Sequence, residues 1–421
     1  MLYTCLFVLA LLAPSGRCAS VKLLGRFHAK QAAFIQVEED IHAVNVLDRY
    51  NLVIAAFSGF PFSTDHVYEV AAIGRQLPTI NSTKILDVSH KITWPNEISQ
   101  VPDAVFHKEL IAAPGGFLVP LKTHGTIGLF DLSVSPPRGP FTITSSADSA
   151  WFYHRVLWKD MNGDGRIDAV TCRAKKPLFG QAQGELVWYE HPATGALEHP
   201  WTMHVLAKGP DVYFDFLTLK TPGGTFDCIV TAGFFSKSLN IYWTTDSSNK
   251  WNDASKIKSR VIDNTFGEVF DVQAVDLNGD GGLDLLVSGY GAQSANLYSF
   301  EIPNDFRTEK FTRHTLAAGF SPRQKGVGHG APGSAQTVYP TSSTKGKPLV
   351  LLSGDDDGRA YLLKPSSASG SDWTYDKETF LDVGQGTVGE PAVKDVDGDG
   401  YKEIFVPAYN QGYVYVYTFK Q

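Results

Sequence analysis

Charge is scarce in this chain. Only 19% of its 421 residues are Asp, Glu, Lys or Arg, and no cluster of Lys and Arg occurs. With a formal net charge of −7, that excludes nucleic acid and an anionic membrane surface as the main partner. Cysteine is scarcer still, four in all, which excludes a disulfide framework as the source of the fold. Long apolar runs are missing. The longest, Leu6 to Leu12, is too short to span a bilayer, and no later segment reaches the roughly 18 residues a membrane helix needs. Helix-favouring runs of Ala, Leu, Glu and Lys are few. What remains is 43% hydrophobic, 12% aromatic and rich in glycine (39), the composition of a well-packed β-protein with many turns.

The opening "MLYTCLFVLALLAPSGRCAS" has an apolar core followed by Pro14, small residues and a cleavage point between Gly16 and Ser20, although its start lacks the usual positive charge. We read residues 1–20 as a secretory signal and 21–421 as one secreted domain without a membrane anchor, expected to be a monomer. Cys5 and Cys18 leave with the signal. Cys172 and Cys228 stay, as one disulfide or as two buried thiols, and the sequence leaves both open. The sequon Asn81-Ser82-Thr83 fits the secretory route.

An acidic nonapeptide occurs three times: "DMNGDGRID", "DLNGDGGLD" and "DVDGDGYKE". Each lies between two β-rich runs, such as "HRVLWKD" before and "AVTCRA" after, and a third run follows, as in "GELVWYEHP". A fourth closes the first two copies, "WTMHVLA" and "FTRHTLA". Four short strands in about 50 residues make one antiparallel meander. The same pattern without the acidic loop runs through residues 210–263 and 330–384. Upstream, "HAVNVLD", "NLVIAAFSGF", "HVYEVAAIG" and "TKILDVS" form a first unit, and "AVFHKELI", "GGFLVPLK", "GTIGLFDL" and "FTITSS" a second. Seven such sheets bury both faces only when arranged radially, as an all-β seven-bladed propeller. The last unit stops after three strands, and "VKLLGRF" (residues 21–27) stands unassigned at the other end, ready to close the ring.

In each acidic loop oxygens recur at positions one, three, five and nine, with a backbone carbonyl at seven and a glycine at six for the sharp turn. That is a donor set for Ca²⁺. The first set is Asp160, Asn162, Asp164, the Arg166 carbonyl and Asp168. The second is Asp276, Asn278, Asp280, the Gly282 carbonyl and Asp284, and the third Asp395, Asp397, Asp399, the Tyr401 carbonyl and Glu403. An EF-hand is excluded, because no helical pattern flanks the loops and no glutamate stands at position twelve. These motifs resemble the FG-GAP/VCBS repeat family, the propeller type of integrin α-subunit heads. The resemblance implies about three structural Ca²⁺ sites and an extracellular setting. Its members include adhesion modules, lectins and carbohydrate-active enzymes, so function stays open.

Propeller ligands bind where loops surround the central channel. The entries to the first strands here carry Tyr153, His154 and Arg155, then Tyr213 and Asp215, Glu268 and Asp271, and Glu390. The loop "RQKGVGHGAPG" adds Arg323, Lys325 and His329. One reading is a recognition module for an extracellular carbohydrate or glycoprotein, which predicts an aromatic-lined, shallow surface. A second is an enzyme, such as a lyase of uronate-containing polysaccharide, with Tyr153, His154, Arg155 and His329 as catalytic groups. That analogy is to propeller lyases at the level of fold, and no catalytic motif matches. A matrix scaffold is a third. "SGDDDG" (residues 353–358) falls outside the register of the calcium loops and is expected to be an exposed turn. The aromatics of "WYEHP" and "IYWTTD" are expected to pack between blades.

Overall fold

The computed structural model describes residues 20–119, 122–177, 180–324, 326 and 328–421. Residues 1–19 of the expected signal, with Cys5 and Cys18, and Lys325 lie outside the described residues.

Seven four-stranded antiparallel sheets form the seven blades of a propeller. Blades three to six follow chain order, beginning with Phe152–Lys159, Tyr213–Thr221, Glu268–Val275 and Ala335–Val338. Blade seven combines the last three strands, Ala392–Lys394, Glu403–Ala408 and Tyr413–Thr418, with the first strand of the chain, Lys22–His28. That strand pairs antiparallel with the last one, from Lys22 opposite Thr418 to His28 opposite Tyr413. Among the described residues no helix is long and apolar enough to cross a membrane.

The core is divided in a way that follows from the pleat. Side chains alternate across a strand, and a blade has neighbours on both faces, so its middle strands are buried on both faces and mostly apolar. In Gly224–Gly233, Cys228, Val230 and Ala232 face blade five while Ile229 faces blade three. Seven hydrophobic clusters result, each filling one seam between adjacent blades. The cluster joining blades seven and one contains Phe27, Phe405, Val414, Ile35 and Ile54, so the seam that closes the ring is packed like the others. Trp188, Tyr189, Tyr242 and Trp243 are buried in these seams, as blade packing required. Cys172 and Cys228 are buried and unbonded.

Three sequence readings need correction. The first strand of blade one is Ala32–Glu39, not "HAVNVLD", which is a loop with a short 3₁₀ turn at Val46–Asp48. Alternating apolar residues there imitate a strand, but Val44 and Val46 point to solvent. In blade two the first strand is Ser99–Val101; "AVFHKELI" holds the helical turn Asp103–Phe106 and the start of the second strand, Leu110–Pro114. The described part of "GGFLVPLK" is loop. Finally, "SGDDDG" is not exposed. Asp356 and Asp357 are buried, and the next subsection describes what holds them.

Candidate functional site

The three acidic loops share one geometry. In each, the carboxylate at position one accepts N–H groups from the two loop glycines. Asp160 accepts from Gly163 (2.7 Å) and Gly165 (2.9 Å), Asp276 from Gly279 (2.6 Å) and Gly281 (2.9 Å), and Asp395 from Gly398 (2.8 Å) and Gly400 (3.0 Å). All six glycines have φ between +73° and +90°, the left-handed region that side chains resist. The position-nine carboxylate turns inward in every copy and accepts from the backbone of position two. Asp168 accepts from Met161, Asp284 from Leu277 and Glu403 from Val396. Burial pushes these three acids up, Asp168 to about 6, Asp284 to about 7 and Glu403 to about 8. Carboxylates this crowded and this buried fit a bound cation. In the third loop Asp395, Asp397 and Glu403 bring oxygens within 4.8 Å of one another, close enough to share one ion. Side chains of the other loops bond within the turn, Asn162 to Asp164 (3.1 Å) and Asn278 to Asp280 (2.9 Å), and Arg166 pairs with Asp164.

Five residues before each of these loops stand Arg155, Asp271 and Glu390, and the ring brings them together at the channel. Arg155 is buried. Its Nε donates to both Glu97 oxygens (2.8 and 3.0 Å), a terminal nitrogen lies 3.3 Å from Asp271, and the guanidinium sits 4.4 Å over the Tyr213 ring. Glu390 accepts from Gln36 (3.0 Å) and from the Tyr213 hydroxyl (3.4 Å). Burial raises Glu97, Asp215 and Glu390 above the ordinary carboxylate range and Asp271 to about 7, while Arg155 opposes the rise in each. Arg155, Glu97, Asp215 and Glu390 line a cavity of about 420 Å³ with Gln273, Gln336 and the strand ends Val37, Leu157, Val393 and Lys394. Since first strands run toward the acidic loops, the cavity opens on that face.

The opposite face is aromatic. A closed circuit of rings links blades one to five on that face: Phe34, Phe57, Trp94, Phe117, Phe152, Phe235, Phe234, Tyr290, Phe270, Tyr213, His154 and back to Phe34. Neighbouring centroids are 4.2 to 6.3 Å apart, and Trp94 stacks on both Phe57 and Phe117. Eight of the eleven rings are half-buried. Tyr409 joins the collar at Phe57 (5.9 Å). The loop behind Phe57 is pinned by Asp65, which accepts from Ser58 N–H (3.1 Å) and pairs with buried Lys122 (2.7 Å).

The four residues named for catalysis do not converge. Tyr153 is buried in the seam between blades two and three, its hydroxyl accepting from Tyr189 (3.1 Å). His154 is enclosed between Phe34 and Tyr213 with Nδ1 unpartnered, and burial lowers it to about 3. Arg155 is committed to two carboxylates. His329 bonds Asp356 (2.9 Å), which also accepts from Thr387 (2.6 Å), and the Tyr361 hydroxyl donates to Asp357. Arg323 pairs with Asp382 (2.7 Å) and Glu268 with Lys237 (2.8 Å). Sequence reasoning missed Glu97 and every collar ring except His154 and Tyr213. A signal existed: aromatics recur at the end of the second strand in five blades, as Phe57, Phe117, Phe234, Tyr290 and Tyr409.

No protein-family model matches the chain, and no curated protein matches it. Among solved structures, one titled "Structure of Dos1 propeller" is similar, with a TM-score of 0.49 at 9% identity over 95% of this chain and 96% of that one. Two glucose dehydrogenase structures are also similar, with TM-scores of 0.43 and 0.40 at 10% and 11% identity. They cover 77% and 78% of this chain and 96% of their own. At such identities the likeness is one of architecture.

Proposed function

We infer that this protein is a secreted, calcium-stabilised propeller of the FG-GAP/VCBS type whose collared face recognises a carbohydrate, free or on a glycoprotein. The observation that carries this reading is the circuit of half-buried rings. An aromatic face is apolar and rigid, and it matches the C–H face of a sugar ring, while hydroxyls at the ring edge reach polar groups beside it. A lyase needs an accessible base within hydrogen-bond reach of its substrate, and enclosed His154 offers none. In the acidic loops, Ca²⁺ would neutralise the crowded carboxylates and hold the connections between first and second strands. The residues that would hold it are those of the three nonapeptides.

The test is retention on a glycan array, followed by calorimetry with the retained glycan. Trp94→Leu and Phe117→Leu remove the stacked pair and are expected to weaken binding at least about tenfold, the loss of roughly 1.4 kcal/mol. His154→Ala removes an enclosed member of the circuit and is expected to cost less affinity than either of these. An array on which no glycan is retained sinks the reading. A rise in ultraviolet absorbance from an unsaturated product, abolished by His154→Ala, would make the protein a lyase instead.

A further inference from the structure

The closing seam of the ring carries a second cavity, of about 430 Å³, on the collar face. It lies where the end of the N-terminal strand, the turn after it, the 57–65 loop of blade one and the turn at residues 409–412 meet. Its chemistry is the reverse of the channel's. In a chain of net charge −7, not one carboxylate lines it. Lys30 and His28 do, together with Asn410, Gln411, Tyr409 and the 76% exposed ring of Phe60.

Asn410 Oδ1 already accepts from Thr387 N–H (2.8 Å), and Gln411 Oε1 from the Tyr415 hydroxyl (2.7 Å). Lys30 makes no ion pair and no side-chain hydrogen bond among the described residues, nor does His28, and the Asn410 amide nitrogen has no partner there. Gln411 Nε2 and the Tyr409 hydroxyl donate to the carbonyls of Val383 (3.4 Å) and Phe57 (2.8 Å), which leaves Lys30, His28 and the Asn410 amide as unspent donors. The loop backbone under the exposed Phe60 ring is anchored, because the Phe60 carbonyl accepts from Ser63 Oγ (2.7 Å) and the Ser63 carbonyl from buried Lys122 (2.7 Å). An exposed aromatic ring in one cavity with unspent donors and an unpaired cation suits a sugar bearing an anionic group.

We propose that the seam cavity is the subsite that selects anionic sugars, carboxylated or sulfated, for the collar beside it. The inference rests on the collar reading. Lys30, with His28 and Asn410, binds the anionic group while Phe60 stacks on the ring that carries it. Because the subsite is built from both ends of the domain, occupancy also braces the closure of the ring and raises its melting temperature.

The experiment is calorimetry with three oligosaccharides of equal length: a polyglucuronate, its carboxyl-reduced neutral counterpart, and a sulfated counterpart. One or both charged forms are expected to bind at least about tenfold more tightly than the neutral form, the worth of one charge-assisted hydrogen bond. The carboxylated-to-sulfated ratio identifies which anion is preferred. Lys30→Gln is expected to abolish the preference while retaining neutral binding, Phe60→Ala to weaken all three, and exposed Lys345→Gln to change nothing. Equal affinity for charged and neutral forms, or a preference that survives Lys30→Gln, overturns this proposal and leaves the collar reading standing. If none of the three binds and the wider array is also blank, both fall.

Discussion

Arg155→Met is the perturbation on which the structure speaks most directly. Arg155, on blade three, is 6% exposed and joins two buried carboxylates, Glu97 at the entry to blade two and Asp271 on blade five. Methionine keeps much of the stem's volume, so the loss is chiefly that of the charge. Two buried acids then lack their counter-charge, a defect that costs about 3–5 kcal/mol. At about 2.1 cal/mol/K per residue, a 421-residue chain has an unfolding entropy near 0.9 kcal/mol/K. The melting temperature should fall by about 3–6 °C. The pH dependence supplies a second check. Burial already holds Glu97 above its usual range and Asp271 at about 7, and without Arg155 both rise further. An acid with a raised folded-state pKa keeps a proton that the unfolded chain releases, so stability falls as pH climbs from about 4 toward the folded value. The variant's deficit against the parent is therefore larger at pH 8 than at pH 5. Adding Glu97→Gln and Asp271→Asn to Arg155→Met removes the stranded charges and recovers most of the loss. Urea unfolding followed by tryptophan fluorescence measures all three. A neutral Arg155→Met, or a deficit that does not grow with pH, would refute the argument.

Three further expectations are simpler. Chelation with EDTA should lower the melting temperature, since a site at a hundredfold excess over Kd contributes about 2.7 kcal/mol; an unchanged curve and no calcium by elemental analysis would remove the metal from the loops. Glu38 is buried with both oxygens unpartnered, and burial, with Glu109 and Glu69 nearby, pushes it up, while Glu69 itself rises to about 7. Glu38→Gln should raise the urea midpoint at pH 8 and change it little at pH 5, and equal effects at both would show that the proton is not held there. A Cβ on Gly389 would lie 1.9 Å from the Ala33 carbonyl oxygen across the closing seam, whereas one on Gly59 meets nothing within 4 Å. Gly389→Ala should therefore destabilise by at least about 1–3 kcal/mol, the usual cost of overpacking, with Gly59→Ala neutral; equal denaturant midpoints would mean that the seam yields.

What the sequence settled by itself was local. Period-two alternation and turn residues every few positions placed blades three to seven, and an Asp-Gly pattern nine residues long marked the three loops, because both depend on contacts within a strand or a turn. The strand misread at 42–48 shows the limit. Apolar alternation is necessary for a buried strand, but burial is decided by neighbours, and Glu38 inside Ala32–Glu39 disguised the true one. The first-strand entries in the sequence already pointed Arg155, Tyr213, Asp271 and Glu390 to the channel, but which of them touch, and most of the collar, came from tertiary structure. Stacked blades set side chains such as Arg155 and Glu97, 58 residues apart, at hydrogen-bond distance, and the Tyr213–Glu390 contact spans 177. Ring closure then sorts the chemistry, bringing acids to one mouth of the channel, aromatics to the other, and unpaired donors to the seam where the two ends of the domain meet.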